Sequence, residues 1–464
     1  MYLLTLNNLS YIYITIFFLL LIIVPYLNRR SNKTSEQFLG LNELNHNTFT
    51  SYNLGIIEFV VLCFLGAKFG LNGYYVVVIA VIISFFLFSK VKSSNNGDSL
   101  ASIVSSKTNK SLGVVVAIYQ MLCYSFLICV SIILTAKIFQ SLLGWNFVNS
   151  VLSVVMFTFI YSLIGGYKSI RINNHINSMI IVMLILVTII CAYIKIGDMS
   201  TLISNLQTLA ISEGYASGHY LSFNVDVKSI KLILTLLIAI SGLHLLTKNT
   251  NFGQKIKLNL MSLLLRLAIV YFVILLGIIA IGTNANVKNI AGKKIVTYQA
   301  QLSDGQVGYV VKSVDESTSA KNKANIVPGI IPPIINEKTN IVEANVFNYI
   351  LTGIVTMHYY LPSQISSLII IVVLALFMTS LSNYLILSGR IYVKEIAAPL
   401  NLFDTYGDVG KLWIARIVIV LASFEGLIIS YFLMSSFDLM LYLKIIFGVL
   451  FIPVLIFMAL VIKK

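Results

Sequence analysis

Apolar stretches about as long as a bilayer is thick recur along almost the whole chain, and no other feature limits the fold as strongly. A helix needs about 20 residues to cross the hydrocarbon core. Stretches of that order occupy roughly residues 11–28, 50–70, 72–92, 111–140, 147–165, 176–196, 228–248, 259–283, 363–389, 411–434 and 438–462. Composition agrees, with 58% hydrophobic residues, only 11% charged and a mean hydropathy of +0.92. Water-soluble globular proteins lie well outside that range. The pattern predicts an all-α polytopic membrane protein of about eleven transmembrane helices, multi-pass in the plasma (inner) membrane.

A net charge of +15 could point to nucleic acid, but its placement points to topology and lipid. With the N-terminus outside, the inner connections hold Arg29, Arg30, Lys33, Lys90, Lys92, Lys107, Lys110, Lys168, Arg171, Lys248, Lys255, Lys257, Arg390, Lys394 and Lys411. The short outer connections at 71, 141–146 and 435–437 hold none. Basic residues kept on the cytoplasmic side of short loops set orientation, and anionic headgroups favour the same placement. The expectation is therefore an outer N-terminus, a cytoplasmic C-terminus, membrane lipid as the charged surroundings and no nucleic-acid partner. The first apolar stretch lacks a preceding basic residue and a following A-x-A site, so it reads as a retained helix. Cys63, Cys123, Cys129 and Cys191 all fall inside apolar spans without metal-ligand spacing and read as packing residues.

Two longer connections, 197–227 and 284–345, are outer segments in this topology. The second carries seven lysines, five acids and three of the seven prolines, and its KIVTYQAQ and GYVVKSV stretches could form short strands. There is no GxxxxGK[ST], HExxH or CxxC anywhere in the chain, so the sequence shows neither ATP hydrolysis nor bond-making chemistry. A carrier, channel or receptor is expected, not an enzyme, with no obligate protein partner evident.

Polar side chains at bilayer depth are costly and usually functional. They cluster at Thr379, Ser380, Ser382 and Asn383; at Gly55 and Glu58; at Ser241, Gly242 and His244; and in GGYKSIRINNHIN, 165–177. The Thr379–Ser380 hydroxyls could simply bond back to carbonyls one turn earlier. A sodium ion, however, requires several oxygens drawn from hydroxyls and from carbonyls freed where a helix unwinds. Gly55 and Gly242 mark two spans where unwinding is cheap. Glu58 reads either as a charge paired within the bundle or as a group for a substrate amine or a coupling proton. His244 reads as a packing histidine or as its partner in a cavity.

Four segments carry a family likeness. LPSQISSLIIIVVLALFMTSLSNYLILSGRIYVKEI, YSLIGGYKSIRINNHIN, NFGQKIKLNLMSLLL and SLASIVSSKTNKSLGVVVAIYQM match, in order and spacing, signatures of the sodium/solute symporter family, which the chain resembles from about residue 36 to 464. The resemblance implies a LeuT-like fold of two inverted five-helix repeats after one extra helix: a leading helix in 1–30, repeats over 50–196 and 228–462, and an extracytoplasmic insert at 284–345. It implies Na+ held by the hydroxyls of Thr379 and Ser380 and by the carbonyls of Asn53, Ile56 and Leu376. Asn174, Ser382 and Asn383 match a second ion site of some members, although the family's Thr-Asp is here Asn173-Asn174 and its Gln is Asn177. Gly242 and Leu245 fall near the asparagine and the aromatic gate of sugar-carrying members, and with Glu58 and His244, which are singled out by their own chemistry, they are the substrate candidates. The implied function is Na+-coupled import of a small polar organic solute by alternating access, with Na+ as the coupling ion. Proton coupling through Glu58 or His244, and an uncoupled facilitator or solute sensor, are the alternatives.

Overall fold

The computed structural model describes residues 8–29, 33–41, 54–89, 99–212, 217–222, 227–247, 256–283, 350–402, 407–433 and 439–462, with short strands between 295 and 342. In a medium without water every backbone N–H and C=O must be satisfied within the segment, so the apolar stretches are helices. They are α1 (Asn8–Asn28), α2 (Ser35–Leu39), α3 (Ile56–Phe69), α4 (Leu71–Ser89), α5 (Leu100–Lys107), α6 (Lys110–Leu143), α7 (Phe147–Ile196), α8 (Met199–Ser212), α9 (Val227–Thr247) and α10 (Ile256–Thr283). Then follow α11 (Thr352–Tyr360), α12 (Ser363–Ser366), α13 (Leu368–Ile391), α14 (Asp408–Leu433) and α15 (Leu439–Ile462), with a π-helical turn, Tyr392–Ala397, closing α13. Among the described residues six helical stretches are long and apolar enough to span a membrane: Ser10–Asn28, Lys110–Leu143, Ser162–Ile196, Leu263–Thr283, Ser363–Ala397 and Asp408–Leu433. Shorter apolar stretches lie in α4, α9 and α15.

Each expected span falls on one of these helices, with two differences. The spans at 147–165 and 176–196 form the single element α7, bent at Gly166, whose φ of 58° only glycine adopts without strain. The expected interruption at Gly242 is absent, because α9 runs unbroken from Val227 to Thr247. Gly242 is small for another reason: a Cβ there would strike the Leu450 carbonyl of α15. The strands of the insert are β1 (Ile295–Gln301), β2 (Val307–Ser313), β3 (Asn325–Ile326), β4 (Ile335–Asn336) and β5 (Ile341–Val342), in the order β3-β2-β1-β5-β4. The two longer ones, an antiparallel pair with Tyr298 opposite Val310, fall on KIVTYQAQ and GYVVKSV.

The buried centre is α13, which packs most extensively on α7 and α6. Its apolar residues from Ile369 to Met378 are all buried. Beside it α3 and α10 lie backbone to backbone. A Cβ on Gly66 would meet the Ile274 carbonyl, and one on Gly277 the Cys63 carbonyl. Small residues at such seams let membrane helices gain close van der Waals contact.

Among the described residues two helices contain proline, and both are repaired from outside. Pro25 in α1 has no N–H to give the Leu21 carbonyl, and the Asn173 side-chain amide of α7 donates to that oxygen at 3.2 Å. Pro453 in α15 likewise frees the Val449 carbonyl, which accepts the Tyr119 hydroxyl of α6 at 2.6 Å. Each bond replaces one that the ring forbids.

A double-mutant cycle tests this repair. Tyr119→Phe should cost about 1–2 kcal/mol by leaving a buried carbonyl unpaired, read as a lower midpoint in thermal unfolding of the detergent-solubilised protein. The same change in a Pro453→Ala background should cost nearly nothing. At the α3–α10 seam, Gly66→Val should cost about 1–3 kcal/mol through overpacking. Gly448→Ala, which meets nothing within 4 Å, should leave the midpoint unchanged.

Candidate functional site

The site begins where α3 begins. Leu54 and Gly55 are outside the helix, and Gly55 is extended at φ −95°, ψ 166°. The first N–H groups of a helix have no partner within it, and Gly55 has no side chain to supply one. The partner comes from another helix: the Ile56 N–H donates to the Ser380 hydroxyl of α13 at 2.9 Å. Ser380 also donates to the Leu376 carbonyl one turn back, at 3.2 Å. A Cβ on Gly55 would collide with the Ser380 hydroxyl, so glycine is what lets α13 come this close. Two segments 324 residues apart thus meet at one buried oxygen.

The neighbouring hydroxyl, Thr379 Oγ1, faces α7, where the Asn177 side-chain nitrogen lies 3.5 Å away. The Asn177 carboxamide oxygen is buried and has no hydrogen-bond partner. An unpaired buried acceptor beside a hydroxyl is the kind of group a cation satisfies. Thr379, Ser380, Leu376, Ile56 and Asn177 are all buried, so water does not compete for these oxygens. The Ser380 hydroxyl retains a lone pair after accepting from Ile56 and donating to Leu376.

One turn further along, Asn174, Ser382 and Asn383 converge on one another. The Asn174 amide donates to Asn383 Oδ1 at 2.8 Å, and Asn174 Oδ1 accepts from the Ser382 hydroxyl at 3.3 Å. The Ser178 hydroxyl donates to the Asn174 carbonyl at 2.8 Å, which fixes the start of this cluster on α7. The network carries no formal charge, and its two amide oxygens already accept hydrogen bonds.

Glu58, in the first turn of α3, forms an ion pair with Arg266 of α10. The pair is what a charged residue inside a bundle requires. The other expected residues lie elsewhere. Gly242 packs on α15, as described. His244 and Leu245 sit on α9, and their side chains, like the whole of Asn53, lie outside the described residues. The expected role of the Ile56 carbonyl meets a backbone contact of a different kind, because it is the Ile56 N–H that reaches Ser380. Asn177, named from the sequence only as standing for the family's Gln, was not counted among the ion-site residues. Its position three residues after Asn174 on the same helix was the available signal, since such neighbours share a face.

Among solved structures, the chain is similar to a substrate-bound, outward-open structure of a Na+-coupled sialic acid symporter. The TM-score is 0.64 at 14% identity, covering 96% of this chain and 87% of that one. An inward-facing structure of Mhp1 matches with a TM-score of 0.42 at 10% identity, over 87% of this chain and 74% of that one. No curated protein sequence matches. The fold is LeuT-like, preceded by an extra helix. The sodium:solute symporter family matches residues 44–316, more than half of the chain. The chain therefore belongs to the sodium:solute symporter family.

Proposed function

We propose that this Na+-coupled importer, which moves a small solute through the membrane by alternating access, takes one coupling ion at the junction of α3 and α13. Thr379 Oγ1, Ser380 Oγ, the Leu376 carbonyl and Asn177 Oδ1 are the oxygens offered to it. The observation that carries this reading is the Ser380 hydroxyl, which joins the start of α3 to the middle of α13. An ion bound there adds a second tie between the two helices. It drives transport only because it binds one arrangement of them better than the other. At about 100 mV, one positive charge moving inward supplies about 2.3 kcal/mol.

A single ion fits the chemistry better than two. The Asn174–Ser382–Asn383 cluster is neutral and internally bonded, so it offers a second cation no negative charge. Proton coupling through Glu58 has less support, because that carboxylate is already engaged by Arg266. The basic inner connections favour an outer N-terminus and a cytoplasmic C-terminus, so Na+ and a polar organic solute enter together towards the Lys- and Arg-rich side.

Uptake of solute into proteoliposomes should require an inward Na+ gradient and rise hyperbolically with Na+, without sigmoidicity. Thr379→Ala and Ser380→Ala should each raise the half-saturating Na+ concentration by about tenfold or more, the loss of one buried ligand. Uptake that persists without Na+ and follows an acid-outside pH gradient would overturn the reading in favour of protons.

A further inference from the structure

The Glu58–Arg266 pair is unusual in its surroundings. On α10 the lipid-facing stripe runs through Leu264 and Tyr271, both exposed. Arg266 lies on the opposite stripe, one and two turns before Ile269, Val270 and Val273, which are all buried. Yet the side chains of Arg266 and Glu58 retain 24% and 31% of their exposure. The pair thus stands on the stripe of α10 that packs into the bundle while keeping part of its surface open. Glu58 lies two residues along α3 from Ile56, whose N–H touches Ser380. Tyr384 lies one turn along α13 from Ser380. The ring of Tyr384 stacks on Tyr124 of α6, with centroids 6.4 Å apart and planes 24° from parallel.

We infer that Glu58 and Arg266 form the solute-recognition pair of this transporter, and that the solute class is the small zwitterion carrying an ammonium and a carboxylate. The inference rests on the transport reading above and supplies its substrate. Binding is an exchange of pairs: the solute carboxylate takes Arg266, and its ammonium takes Glu58. The balance of charge selects the class. A zwitterion replaces one internal ion pair with two external ones and leaves no charge stranded. An anion would take Arg266 and leave Glu58 unpaired, a cation would do the reverse, and a polyol would have to part the two charges without compensating either. A charge left alone away from water is strongly penalised. Arginine, with its planar fork of donors, also matches a carboxylate better than lysine would.

The test is thermal stability of the purified full-length chain in Na+, with the standard α-amino acids, glycine betaine, lactate, ethanolamine and glycerol as probes. At least one zwitterion should raise the midpoint, and the N-acetyl and amide derivatives of the best amino acid should bind about 100-fold more weakly, as stranding a charge requires. Glu58→Gln should shift preference to the N-acetyl acid, and Arg266→Gln to the amide; loss of packing alone would change affinity for all three forms together. Should a single variant fail to fold, the exchange Glu58→Arg with Arg266→Glu keeps the pair and should keep zwitterion binding. A response only to lactate, ethanolamine or glycerol, no response to any zwitterion, or variants without a change of preference would overturn the inference. Stabilisation by Na+ without solute is scored separately: its loss in Thr379→Ala supports the ion site, and its absence in the wild type refutes that site while leaving the charge-class result to stand alone.

Discussion

The constraint on which this structure depends is that hydrocarbon offers nothing to a backbone amide or carbonyl. Wherever a helix is interrupted, a neighbour must supply the missing bond. The structure shows this three times, at Pro25 with Asn173, at Pro453 with Tyr119 and at Gly55 with Ser380. The first two repairs join helices that would otherwise be held by packing alone. The third falls at the start of α3, and there the repair and the proposed ion site share one group. The hydroxyl that completes α3 is also an oxygen a cation can use.

That sharing gives the site its logic. An ion at the proposed site would act on α13 through Thr379 and Ser380, and through the Ile56 N–H on the first turn of α3. Two residues later Glu58 reaches across to Arg266. On the proposed reading, ion and solute would act on opposite sides of one helical turn, and each could favour the geometry the other requires without direct contact. Such mutual dependence is the thermodynamic content of coupling: if one ligand tightens the other, the reverse must hold.

Much of this was legible in the sequence, because burial in lipid writes itself as length and apolarity. The positions of the spans and of the hydroxyl pair followed from that, as did the two strands in the insert. What could not be read was the reason for individual residues. Gly55 and Gly242 look alike on paper, both lone glycines in apolar runs. One makes room for a hydroxyl at a helix start and the other for a carbonyl at a seam, and only the three-dimensional neighbour distinguishes them. The pairing of Arg266 with Glu58 spans 208 residues, and periodicity carries no information about pairing at that distance. Asn173 likewise read as a substituted family residue, yet it completes a carbonyl that a proline on another helix had left bare.

The glycine seam between α3 and α10 has a mechanical consequence. Helices separated by side chains can slide, because rotamers absorb small displacements. Helices whose backbones touch at Gly66 and Gly277 have no such cushion, so they travel as a single rigid strut. A cargo gripped by one charge on each of them would keep both grips while the gates on either side of the membrane change places.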